Sequence, residues 1–564
     1  MTGLAHPLTD RRTGLLVDVD RLPVPSGLPS GLVSYGALVG RTDRFTTWRA
    51  DATGFGASLG DEHAARAAAI GEAIERYCGN AVPDVLRRAS YDELIEAGDD
   101  ALDPSTLALY SARQYSQHGF PFVPFTRDLR VGWVRGTDLH TGDATWVPAS
   151  LAHLDYVHGT RADEPPTHSL MYSGIAAGTD RAAAERSALE ELLERDATGI
   201  WWASGAPATG LDDDGRVTGA LGRPAGDRPL QVHLVAVPSE FEVPVVAALV
   251  EQDGFVGFGS ACRADPARAA GKALVEALGL LRHARDLADP ASLTWAAVAS
   301  GTIEAHAYLP FRADRRYLDD AGPGFRALTD LPAVAQLYLD PRMQGTPLSR
   351  LRPVPSHKLA DVAAVADPRA TYLRRLATAG IRTVSVDLTT PDVAAAGWCV
   401  VRVVAAGLVR HPAVRRPRPA RLARPTPRRG RPRRTSPAPG LRGDPCPPIC
   451  WPIRGPGSSA PSTPPPSPRT SRRRSRSRPP ASPTPPASAA GPPTRPGPAM
   501  RSPTPRRYGP RRSARPSSAT AATSSRPDWS GRATKHWAAT PSTPRPSRSS
   551  PTRSTRRPAS PQSR

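Results

Sequence analysis

The chain changes character near residue 410, and that boundary limits what can fold. Residues 411–564 carry 34 Lys and Arg against 2 Asp and Glu, a net charge of +32. The whole chain has 74 basic and 52 acidic residues, so residues 1–410 hold 40 and 50, a net of −10. The same C-terminal stretch contains 38 of the 65 prolines and neither Glu nor Phe. It cannot bury enough apolar surface to offset chain entropy, so disorder is expected over residues 410–564. The first 409 residues are mildly acidic and of ordinary globular makeup, and one domain is expected there.

Within that domain, one helical pattern occurs twice, as Glu72-Ala73-Ile74-Glu75-Arg76 and Glu191-Leu192-Leu193-Glu194-Arg195. Positions three and four apart share a helix face, so each copy projects two carboxylates and a guanidinium in one direction. One such pattern usually marks a solvated face. Two copies in the same register are different, because Ile70, Ala73, Ile74 and Tyr77 form an apolar stripe that Leu189, Leu192 and Leu193 repeat. If the helices face each other, four carboxylates converge beside a dry core. They would repel unless cations sat among them, and hard oxygen ligands suit Mg²⁺ carrying phosphates.

Helix and strand signals place these motifs in an α+β chain. Asp61 can cap a helix over 62–80, and Thr179 or Asp180 can cap a second running to about Ala203. Asp265-Pro266 starts a third, reaching about Leu287, with Leu274, Ala277, Leu278 and Leu281 as its core stripe. A shorter helix is expected near 368–378. Short apolar runs between turns suggest strands within 104–150, notably at 131–134 and 145–147. Further strands are expected at 230–237, 243–251, 381–388 and 398–404. Strands are grouped between helices rather than strictly alternating with them.

Other candidate features are weaker. Lys272 and Glu276 are four apart on the third helix and share a face, which would ordinarily be a surface ion pair. Gly54-Phe55-Gly56 with Gly60 could present backbone N–H groups to a phosphate, but it lacks the P-loop ending and reads as a plain loop. Ser173-Gly174 and Gly178 precede the second helix, whose N-terminus favours an anion. No run of eighteen apolar residues suggests a membrane span, and Met1–Arg12 does not resemble a signal peptide. Five scattered cysteines (Cys78, Cys262, Cys399, Cys446, Cys450) argue against a disulfide framework, so a reduced, cytoplasmic setting is expected.

Together these residues resemble the YcaO family. Gly71-Glu72-Ala73-Ile74-Glu75-Arg76-Tyr77 is similar to its first signature. Ser173 to Gly178 followed by Ala188 to Ala197 is similar to its second, and Ala273-Leu274-Val275-Glu276 to its third. Asp387 to Val393 and Val400 to Leu408 resemble the approach to its C-terminal segment. The likeness spans roughly residues 10–409 and looks strongest to the members that modify ribosomally made peptides.

The resemblance implies a YcaO-type fold of mixed sheets and helices, and an ATP-dependent cyclodehydratase. In such enzymes a Cys, Ser or Thr side chain attacks the preceding backbone carbonyl, and phosphorylation turns the resulting oxygen into a leaving group. It implies Mg²⁺ at Glu72, Glu75, Glu191 and Glu194, and a nucleotide along Arg76, Ser173, Thr179, Arg195, Lys272 and Glu276. Several positions depart from the family pattern. Ser173 and Thr179 stand where Asn is common, Ala183 where Glu is frequent, Lys272 where Arg is usual, and Phe55 where Lys is often found.

The implied partners are a precursor peptide and a separate leader-peptide-binding or E1-like protein, with a homodimer as a further expectation. Members that insert sulfur into a backbone amide share these residues, so thioamide formation stays an alternative. A non-catalytic scaffold binding peptide or nucleotide is another.

The resemblance stops at Leu408-Val409, where ordered family sequence would continue. Before residue 411 only Lys272 and Lys358 are lysines, as GC-rich coding DNA would produce. A shifted frame in such DNA yields Arg, Pro and Ala, and residues from 410 onward are read as out-of-frame translation. The rival expectation is non-specific, salt-dependent attraction of nucleic acid by the basic stretch.

Overall fold

The computed structural model describes residues 7–409 except 43–45, 47, 49, 52, 158–160, 223–228, 302, 304, 326, 329 and 330. The basic stretch, with its expected disorder and with Cys446 and Cys450, lies outside the described residues.

Among the described residues, three sheets and four long helices form the frame. Strands β1 (Leu16–Leu22), β2 (Leu32–Val39) and β3 (Thr53–Leu59) form an antiparallel sheet in that order. Helix α1 (Glu62–Asn80) follows at once. Strands β4 (Arg87–Ala89), β5 (Val131–Asp138), β6 (Ala144–Pro148) and β7 (Ile175–Gly178) lead into helix α2 (Arg181–Ser204). Next come β8 (Thr209–Asp212), β9 (Gln231–Val237), β10 (Val245–Gln252) and β11 (Phe255–Cys262), then helix α3 (Pro266–Ala288). Strand β12 (Pro355–Lys358), helix α4 (Pro368–Thr378), β13 (Thr383–Asp387) and β14 (Cys399–Ala405) complete the frame. The second sheet runs β4-β5-β13-β14-β7, with β6 also paired to β5, and the third runs β11-β10-β9-β8-β12.

One unit recurs three times: the edge strand of a sheet, a short turn, and a long helix. β3, β7 and β11 each close one sheet and lead into α1, α2 and α3. Each helix starts on an aspartate whose side chain accepts a backbone N–H of the first turn. Asp61 takes Ala64 N at 2.9 Å, Asp180 takes Ala183 N at 2.8 Å and Asp265 takes Arg268 N at 3.0 Å. The cap of α2 is therefore Asp180, not Thr179.

Two of these units are joined by glycine. A Cβ on Gly56 of β3 would lie 2.1 Å from the Ala65 carbonyl oxygen of α1, and one on Gly257 of β11 would lie 2.0 Å from that of Ala277 in α3. The loop expected over Gly54-Phe55-Gly56 is thus a strand, and its glycines let strand and helix backbones touch. The strands expected within 104–150 reduce to β5 and β6. Residues 104–130 hold turns and short helical pieces around packed Tyr110, Phe120 and Phe122.

The second sheet separates α1 from α2. Ile175 of β7 and Val400 and Val404 of β14 face the cluster containing Ile70, Ala73 and Ile74 of α1. Ala176, Val401 and Val403 face Ala188, Leu189 and Leu192 of α2. This is the period-two alternation of a strand buried on both faces. Cys78, Cys262 and Cys399 are free, and no helix among the described residues is long and apolar enough to cross a membrane.

His153 follows a short helix and is buried against this core. Burial pushes its imidazole from 6.5 down to about 4. As pH falls, the unfolded chain takes up this proton before the folded one, so stability present above pH 6.5 is lost between 6.5 and 4. The full loss is about 3 kcal/mol. Urea unfolding across that window should show a His153→Gln variant lacking this part of the acid sensitivity. An unchanged pH profile would contradict the assignment.

Candidate functional site at the edge of the second sheet

An edge strand leaves backbone N–H groups without strand partners, and they must be satisfied elsewhere. Along β7 carboxylates do this from both sides. Ala177 N donates to Glu75 Oε1 of α1 at 2.9 Å, and Gly174 N, just before β7, donates to Glu191 Oε2 of α2 at 3.2 Å. The two acidic helix faces, carried on opposite sides of the sheet, therefore meet around one free edge.

The other two edge strands join in the same way. Phe55 N of β3 donates to Glu72 Oε2 at 3.2 Å, and the buried Ser260 hydroxyl of β11 donates to Glu194 Oε1 at 2.8 Å. Glu72, Glu75, Glu191 and Glu194 are all buried. Arg76 Nη2 reaches Glu72 Oε1 at 3.1 Å and Arg195 Nη2 reaches Glu191 Oε1 at 3.4 Å, each one helical turn apart. Lys272 Nζ lies 2.6 Å from Glu276 Oε1 on α3.

The electrostatics are sharpest at Glu194. Burial raises its carboxyl to about 7; Arg195 and Lys272 oppose the rise, while Glu276 and Glu191 add to it. Glu276 Oε2 is buried and has no hydrogen-bond partner among the described residues.

The structure alters one expectation. The carboxylates do not form one group of four: among the described residues no three acidic, histidine or cysteine side chains gather closely enough to hold a metal ion by themselves. Each is tied to a different group: Glu72 to Phe55 N, Glu75 to Ala177 N, Glu191 to Gly174 N and Glu194 to the Ser260 hydroxyl. Thr179 is exposed between β7 and α2, two residues after Ala177, whose N–H bonds Glu75. Ser173 is buried next to Gly174, whose N–H bonds Glu191.

Ser260 went unforeseen. The repeated Gly-Phe-Gly ahead of an Asp-capped helix, at 54–56 and 257–259, could have revealed it by marking β11 as a second β3.

Chemically, the site gathers buried anions and guanidiniums at the free edge of β7. Such an array suits a polyanion accompanied by divalent cations.

The chain is similar to several known proteins. A curated relative, described as an uncharacterized protein in the tfuA 3′ region of Rhizobium leguminosarum bv. trifolii, is 25% identical over 241 residues, covering 38% of this chain and 52% of its own length. A heterocyclase solved in complex with substrate and cofactor superposes with a TM-score of 0.50 at 17% identity, covering 72% of this chain and 51% of that one. At that identity the likeness shows the fold alone. YcaO from Methanopyrus kandleri, bound with AMPPCP and Mg²⁺, gives 0.45 at 19% identity, covering 71% and 87%. The chain spans about half the length of the first two. The family model described as YcaO cyclodehydratase, ATP- and Mg²⁺-binding, matches residues 55–409. The chain belongs to the YcaO cyclodehydratase family, which binds ATP and Mg²⁺.

Proposed function

We propose that this chain uses ATP and Mg²⁺ to activate a backbone amide of a ribosomally made peptide. The outcome is closure of a Cys, Ser or Thr side chain onto the preceding carbonyl carbon as an azoline. The observation that carries this reading is the meeting of carboxylates and guanidiniums from α1 and α2 at one edge of β7, with Glu194 bonded to Ser260 of β11.

The residues fit the implied groups. Mg²⁺ is usually held by one or two protein carboxylates together with phosphate oxygens, so paired glutamates suit it without a cluster of three. A carboxyl pushed up to about 7 and a buried carboxylate oxygen lacking a hydrogen bond are both settled by a nearby cation. Glu72, Glu75, Glu191 and Glu194 would hold Mg²⁺, with Arg76, Ser173, Thr179, Arg195, Lys272 and Glu276 along the nucleotide.

When bound, ATP with Mg²⁺ supplies the phosphoryl group that makes the amide oxygen a leaving group. This chain's own residues do the positioning. Arg76 and Arg195 are already held by Glu72 and Glu191, so they meet phosphate charge without reorganising. Burial of the four carboxylates keeps bulk water from competing for the same charges. The backbone bonds from Ala177 and Gly174 hold the spacing between the two helices.

The test combines the full chain, ATP, Mg²⁺, a Cys-containing precursor peptide and its leader-binding partner. Phosphate release should accompany loss of one water mass per ring. Nucleotide binding with neither event supports a non-catalytic scaffold. Exchange of oxygen for sulfur supports thioamide chemistry.

A further inference from the structure

Tyr172 belongs to none of the patterns above, yet its ring lies against the Arg76 guanidinium, with Cζ 3.8 Å from the ring centroid. Arg76 is buried, and its acidic partners are Glu72 at 3.1 Å and Asp51 at 3.8 Å. Two carboxylates pull on the guanidinium but do not by themselves fix the plane of the fork. An aromatic face does, because a guanidinium stacks flat on it.

The backbone that carries the ring is itself held. Arg402 of β14 is completely buried, and it donates to three backbone carbonyls: Leu151 O at 3.0 Å, Tyr172 O at 3.0 Å and Met171 O at 2.6 Å. These bonds fix the backbone carrying Tyr172, immediately before Ser173 and Gly174.

We propose that Tyr172 is a positioning residue whose ring orients Arg76 toward the nucleotide, with Arg402 holding the backbone that carries the ring. This rests on the nucleotide reading of the site. The predicted effect falls on nucleotide affinity rather than on folding, since Arg76 keeps its carboxylate partners without the ring.

The experiment is equilibrium binding of AMPPCP with Mg²⁺ to the full chain. Tyr172→Leu, which keeps apolar bulk without a π face, should weaken binding about three- to thirtyfold. Tyr172→Phe should return it to within about twofold of wild type. In an Arg76→Gln background, Tyr172→Leu should cost nothing further, because the interaction it removes is already gone. If leucine prevents folding, Tyr172→Met fills the same gap flexibly and carries the same expectation.

Binding by Tyr172→Leu equal to wild type, or an equal loss in the Arg76→Gln background, overturns the proposal and leaves the nucleotide reading standing. A wild-type chain that binds no AMPPCP overturns both.

Discussion

Replacing Glu75 or Glu191 with glutamine should reduce ATP turnover about 10²- to 10³-fold while the protein stays folded. The substitution is nearly isosteric. A glutamine carbonyl oxygen can still accept the Ala177 or Gly174 N–H, so the bond between helix and edge strand survives. What disappears is the negative charge, the property a cation needs. The two variants should behave alike although they sit on opposite sides of the sheet, since each supplies one carboxylate to the same edge. Steady-state phosphate release alongside thermal melting checks this. Full turnover in either variant would show that its carboxylate serves only β7, and loss of turnover through unfolding would be visible in the melt.

The second large effect concerns folding. Gly257→Ala places a methyl 2.0 Å from the Ala277 carbonyl oxygen and 2.7 Å from Leu281 N, both backbone atoms of α3. Neither can swing aside as a side-chain tip would, so strand and helix must separate. A cost of about 3–5 kcal/mol follows, a large part of the stability of a typical domain. Gly279→Ala, on the same helix with nothing within 4 Å of the added carbon, should instead stabilise by about 0.5–1 kcal/mol. Urea denaturation of the pair measures the contrast. Similar behaviour of the two variants would mean that β11 and α3 are not in backbone contact.

The same glycines show where sequence reasoning succeeds and where it stops. Helices α1, α2 and α3 were legible because Asp61, Asp180 and Asp265 punctuate them and their apolar stripes repeat with helical period. Those signals are local. β3 and β11 were not legible, because Gly-Phe-Gly lowers strand propensity and a loop is the ordinary reading. The reason for the glycines is a contact with the helix that follows, which exists only after the chain has folded back.

At the site, the paired glutamates could be chosen from spacing alone. Their attachment to three different edge strands could not, since it depends on which groups β3, β7 and β11 present. Ser260, Tyr172 and Arg402 are three further cases of long-range placement. Arg402 in particular lies in a strand otherwise made of apolar residues, and its role emerges only when Leu151, Met171 and Tyr172 present their carbonyls to it.

Anomalous diffraction from a crystal of the full chain grown with Mn²⁺ and AMPPCP addresses the central claim directly. Anomalous peaks are expected beside the free edge of β7, within coordinating distance of glutamates from both α1 and α2, with the triphosphate between them. Well-occupied Mn²⁺ and nucleotide located elsewhere, or touching only one of the two helices, would contradict the account.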